Sequence, residues 1–188
     1  MQRCFTVQKH INKSGAPRGN RSGAVVLELI LTAPAFLIIM LAIVEFSLVY
    51  TAIEQTAYAS RTAAKIASET NSGSLDTLVS SGDLKSRVDR YLQVGGLPLG
   101  SCRVILQYNV LTGGVVEDDR DPDPAVAGCD CGPPSSTLPS VTGASATDSV
   151  RTTVCVKLDG NIPDFLSGLG FSIQDYVVEE STTYIYEL

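Results

Sequence analysis

Apolar residues are distributed in three different ways along this chain. Between Arg21 and Glu45 they are nearly continuous: Glu28 is the only formal charge, and Leu29 to Val44 is a run of sixteen residues with none. Ala24 to Val44 spans 21 residues, close to the ~20 that an α-helix needs to cross a hydrocarbon core, so the pattern predicts a transmembrane helix. Residues 51–68 lack Gly and Pro and are rich in Ala, which predicts that the helix continues past the membrane. On that extension Ile53, Ala57, Ala64 and Ala67, with Ser60 between them, recur at helical spacing as a narrow stripe of mostly small side chains. Such a stripe suits packing either on the protein's own domain or on another helix.

After the break at Asn71 to Gly73 the spacing becomes amphipathic. Asp83 to Val94 places Leu84, Val88, Tyr91 and Leu92 on one face and ends at Gly95 and Gly96, which predicts a second helix with a glycine stop. Farther on, the period falls to two. Ser149 to Leu158 puts Val150, Thr152, Val154 and Val156 on one side, and Cys102 to Leu111 and Asp175 to Tyr186 are rich in β-branched and aromatic residues; these are three strand candidates. Residues 162–172, carrying Phe165, Leu166, Leu169 and Phe171, predict a short helix or turn. The expected fold class is α+β: a long N-terminal transmembrane helix, then a small domain with about three antiparallel strands and a packed helix. The expected organisation is a leader over 1–23, the helix and its extension over 24–70, and a domain over 71–188 with a loop at 112–148. Within that loop Glu117 to Asp148 is dominated by Asp, Pro, Gly, Ser and Thr.

Charge gives the helix a direction. Residues 1–23 carry Arg3, Lys9, Lys13, Arg18 and Arg21 and no Asp or Glu, while the remaining nine Lys and Arg face all twenty acidic residues. The positive-inside rule keeps the leader in the cytoplasm and exports everything after about residue 50. A cleaved secretory signal is the competing reading, but the apolar run is long for one and no clear small-x-small site follows it directly. The acidic body argues against nucleic-acid binding, which requires phosphate neutralisation.

Five cysteines divide with this topology: Cys4 lies in the leader, and Cys102, Cys129, Cys131 and Cys155 in the exported part. Four in an oxidising compartment suggest two disulfides, with three pairings open. The acidic run Glu117, Asp118, Asp119, Asp121 and Asp123 has oxygen ligands suited to Ca²⁺ but lacks the Gly and distal Glu of an EF-hand loop, so a solvated loop is the expectation and no metal or cofactor is assigned. His10, in the leader, is the sole histidine, and the exported part has no G-x-S-x-G, phosphate-binding Gly loop or metalloprotease motif. The sequence therefore reads as non-enzymatic.

Glu28 is the residue with the most to explain, because a carboxylate at the start of an apolar helix is costly in a membrane and needs a partner. A cut after Gly23 would leave a cationic amine on Ala24 about one helical turn from Glu28, and a neighbouring subunit's amine would neutralise that carboxylate. Glu45 follows seventeen residues later, about 25 Å along a helix, where it is expected to mark the opposite membrane boundary. Pro34 lies between them and should loosen the helix.

Gly23, the apolar Ala24 to Leu27 and Glu28 resemble the processing site of type IV prepilins, where a membrane peptidase cuts after the glycine. The wider stretch GAVVLELILTAPAFLIIMLAIVEF, with Glu28, Pro34, Glu45 and Phe46, resembles the TadE-like family, and AYASRTAAKIA, with Ala57, Arg61, Ala63 and Ala64, is similar to the helix that follows that family's membrane segment. Leu29 departs from close pilin relatives, which often have an aromatic residue after the Glu. The resemblance implies a membrane-anchored minor pilin-like protein acting in assembly of a tight-adherence (Flp, type IVc) pilus. Its implied processing site is Gly23, Ala24 and Glu28, and its implied packing residues are Pro34, Glu45, Ala57 and Ala64. The membrane, other pilin-like subunits, the pilus assembly platform and prepilin peptidase are the partners it implies. A signal-anchored binding domain unrelated to pili, and a redox enzyme using Cys129 and Cys131, are the readings from other classes.

Overall fold

The computed structural model describes residues 21–109, 116–118, 138 and 149–186. The chain divides into two compact units, Met1–Ile39 and Met40–Leu188, with the boundary inside the first helix. That helix, α1, runs Arg21–Ser68. In the first unit its described side chains are all exposed. The Thr32 hydroxyl donates to the Glu28 carbonyl at 3.0 Å, so this polar group is satisfied within the apolar stretch. Pro34 stands inside the helix and supplies no N–H to the preceding turn.

The second unit is built on the C-terminal part of α1. After α1 a 3-10 turn at Ser72–Ser74 is capped by Asn71, whose side chain accepts from Gly73 N. It leads into α2 (Leu75–Ser80) and α3 (Asp83–Val94). The expected helix over 83–94 is therefore present with its stop at Gly95, while α2 is an element the sequence reading did not anticipate. Strands β1 (Cys102–Tyr108), β2 (Val116–Asp118), β3 (Ser149–Lys157) and β4 (Val177–Ile185) form one antiparallel sheet in the order β2-β1-β3-β4. The three expected long strands are found and α+β is the fold class. The three-residue β2 lies inside the stretch expected to be loop, paired at Val116 to Tyr108.

Strand alternation sorts the two sheet faces. Val104, Leu106 and Tyr108 of β1, Val150, Val154 and Val156 of β3 and Val178 of β4 join Ala52, Ala59, Ala63 and Ala67 of α1, Leu75 and Val79 of α2, and Leu84, Val88 and Leu92 of α3 in one hydrophobic core. On the opposite face β1 and β3 bury the polar side chains of Gln107, Arg151 and Thr153. There Arg151 Nη1 donates to Gln107 Oε1 at 3.4 Å, Arg151 Nε to Thr183 Oγ1 at 3.2 Å, and the Thr153 and Ser181 hydroxyls lie 2.7 Å apart. Burial lowers the Arg151 guanidinium pKa from its usual value by desolvation.

The small-residue stripe of α1 packs on the protein's own domain, within a buried face wider than the expected one. Ala52, Thr56, Ala59, Ser60, Ala63, Ala64 and Ala67 are buried, Ala57 is half-buried, and Ile53 is exposed. The Ser60 and Thr182 hydroxyls meet at 2.8 Å across this interface. Helix α3 also closes onto α1 at Gly95, where an added Cβ would lie 3.0 Å from Gln55 Cβ and overlap Gln55 Cγ. Gly95 has an ordinary φ of −80°, so the constraint is space. Gly95→Ala is expected to lower stability by about 1–3 kcal/mol through overpacking, measured by urea unfolding in detergent micelles. Gln55→Ala should recover part of that loss, and a loss that Gln55→Ala leaves intact would contradict the assignment.

Candidate membrane anchor and assembly segment

The residues that the sequence singles out on α1 fall into two environments. Gly23 is exposed with nothing within 4 Å of where a Cβ would stand. Ala24 lies on the same helix, and Glu28 is exposed a turn later. The stretch Val25–Ser68 is long and apolar enough to cross a membrane. Val25, Leu27, Ile30, Phe36, Leu37 and Ile39 are all exposed, as expected of a surface meant for lipid or for other apolar helices.

Glu45 belongs to the second environment: besides ending the apolar run, it is folded into the domain. Its side chain is only 4% exposed. Oε2 accepts hydrogen bonds from the backbone N–H groups of Phe165 and Leu166, each at 2.9 Å. Two N–H donors on one carboxylate oxygen are charge-assisted bonds, and they hold a negative charge that would be costly to bury alone. The sequence offered no marker for this pair, because backbone donors carry no side-chain signature. A second carboxylate organises the far side of the same loop: Asp164 Oδ2 accepts from the Ser172 hydroxyl at 2.9 Å and from Ile173 N at 3.2 Å. Between α1 and this loop lies a cleft of about 240 Å³, with Phe46, Val49, Leu158, Leu166, Phe171 and Tyr176 among its lining residues.

The cysteine expectation is narrowed by register. Cys102 stands opposite Val156, and Cys155 opposite Arg103, so the two side chains point to opposite sheet faces and do not bridge to each other. Cys102 Sγ donates to Asp89 Oδ1 at 3.1 Å where a bridge was expected, and the same carboxylate oxygen accepts from Gly100 N at 3.2 Å. Cys129, Cys131 and most of the acidic run lie outside the described residues; Glu117 and Asp118 fall within β2. Among the described residues no group of three or more His, Cys, Asp or Glu is placed to hold a metal ion.

Comparison with known proteins yields a match to a family model described as TadE-like protein over residues 23–65. No curated protein and no solved structure matches the chain. The match begins at Gly23, takes in Glu28, Pro34, Glu45, Ala57 and Ala64, and ends three residues before α1 does. Residues 23–65 are therefore a TadE-like segment, carried on the long apolar helix that begins at Arg21.

Proposed function

We propose that this chain is a membrane-anchored minor pilin-like protein that acts in assembly of a tight-adherence pilus, with residues 1–23 cytoplasmic and the α+β domain outside the cytoplasm. The observation that carries this reading is the coincidence of the TadE-like match with Gly23, Glu28, Pro34 and Glu45 in one apolar helix. The exposed apolar surface up to Ile39 supports it, since a helix of that kind needs lipid or apolar neighbours. In this reading prepilin peptidase cuts after Gly23, the amine on Ala24 meets Glu28 of a neighbouring pilin-like subunit, and the role is structural, with no catalytic step. Cys155, sent to the sheet face away from Cys102, pairs with Cys129 or Cys131.

The test is the mass and N-terminal residue of the protein isolated from its host's membranes, together with a count of pili. Wild type is expected to begin at Ala24. Gly23→Leu should leave the leader attached, and Glu28→Ala should be processed yet reduce pili by at least about tenfold, since a membrane carboxylate without its cation, or the cation without it, disfavours docking. Normal piliation without the protein would overturn the assembly role. An uncut chain with normal piliation would leave a tethered domain with another purpose.

A further inference from the structure

We propose that the loop from Phe165 to Tyr176 is a second membrane contact, seated in the lipid headgroup and upper acyl region beside the point where α1 leaves the bilayer. This rests on the membrane-anchored reading above and concerns a part of the chain that the TadE-like match does not reach.

Phe165 to Gln174 reads FLSGLGFSIQ, ten residues without a charge. It is held in a defined shape: Leu169 N bonds to the Leu166 carbonyl, Gly170 N to that of Ser167 and Phe171 N to that of Leu166. Gly170 takes a φ of +88°, a conformation that favours glycine. So ordered, the loop buries Leu166, half-buries Ile173 and turns its other large side chains outward. Phe165, Leu169, Phe171 and Tyr176 are all exposed, Phe171 to 67%.

What covers these side chains is indicated by where the loop is pinned. Glu45, which takes the Phe165 and Leu166 N–H groups, is the first charge after the sixteen-residue apolar run. Its helix neighbours Ile43, Val44, Phe46 and Tyr50 are exposed as well. The apolar surface of residues 43–50 therefore continues onto the loop, with Glu45 folded inward beneath it. An apolar surface, uncharged from Phe165 to Gln174 and bordered by Tyr50, Tyr176 and the exposed Asp175, matches the chemistry of the membrane interface, where apolar side chains enter the acyl boundary and polar ones face the headgroups.

The chain has no Trp, so single tryptophans report without background. Phe36→Trp, Phe171→Trp and Val94→Trp, each in the full chain, would be reconstituted into phosphatidylcholine vesicles whose acyl chains carry bromine either near the headgroup or near the chain end. Phe36→Trp monitors the span. Val94→Trp sits on an exposed site next to Gly95, which abuts Gln55, ten residues or about 15 Å along α1 from Glu45. The expected result is that Phe171→Trp emits to the blue of Val94→Trp and loses at least about twice as much emission to shallow as to deep bromine. Quenching of Phe36→Trp with none at Phe171→Trp would overturn the loop contact and leave the anchor standing. No quenching at Phe36→Trp would overturn both. Shielding of Phe171→Trp that follows protein density in the vesicle and ignores bromine would assign the loop to a second copy of the chain, and would also overturn the proposal.

Discussion

Replacing Glu45 with alanine is expected to release the Phe165–Leu166 turn from α1 and to lower the stability of the domain by about 2–4 kcal/mol. The estimate follows from the bonding: a hydrogen bond to a charged group contributes about 1.5–3 kcal/mol, and a buried donor left without an acceptor costs about 1–3 kcal/mol. Glu45 supplies one oxygen to two N–H groups, and its near-complete burial means that water does not readily replace it. The two losses overlap, since one relaxation of the turn can re-solvate both donors, which holds the total below twice the single value. Amide hydrogen exchange at Phe165 and Leu166 should accelerate most, with Leu158 N, bonded to the Tyr176 carbonyl at the other end of the loop, following. Glu45→Gln keeps a carbonyl oxygen within reach and should lose less than half as much. Unchanged exchange at Phe165 and Leu166 in Glu45→Ala would show that the loop is held by its own turns and by Asp164.

What was legible in the sequence was whatever depends on local periodicity. Helix α3 was readable to the residue because Leu84, Val88 and Leu92 repeat at four and Gly95 stops the backbone. The three long strands were readable from β-branched alternation. Helix α2 was missed because six residues give too little period and Leu75 and Val79 are its only buried positions. Strand β2 was missed because three residues, two of them acidic, acquire strand geometry only by pairing with Leu106 to Tyr108.

The functional residues divide in the same way. Gly23, Glu28 and Pro34 stand out in the sequence by their order along one helix, and the TadE-like match spans all three. Glu45 stands out at the end of the apolar run, but its two donors, Phe165 N and Leu166 N, lie 120 and 121 residues away in the backbone and leave no local signal. The stripe on α1 is partly legible: of Ile53, Ala57, Ser60, Ala64 and Ala67, the last three are buried, but the buried face is centred to one side and takes in Ala52, Thr56, Ala59 and Ala63 as well. In a segment so rich in alanine several phases look alike, and the sheet, which hydropathy does not encode, selects one.

That phase makes the second large prediction. Ala59→Leu and Ala63→Leu each add an isopropyl group to Cβ where α1 lies on the sheet, at positions no more than 1% exposed. Overpacking at such a site costs about 1–3 kcal/mol, against a total of about 5–15 kcal/mol for a domain. The two sites are one turn apart on one interface, so the helix can shift once for both and the double variant should lose less than the sum. It should still lose several kcal/mol, break the Ser60–Thr182 hydroxyl contact and expose the sheet to protease. Arg61→Leu, on the exposed side of the same turn, is the control and should stay within about 0.5 kcal/mol of wild type. Urea unfolding and limited proteolysis of the full chain in micelles read both. A double variant as stable and protease-resistant as Arg61→Leu would show that this face of the helix is not clamped to the sheet. A stable double variant that also fails to make pili would move the face to contacts between subunits, which the unshielded span before Met40 can otherwise make alone.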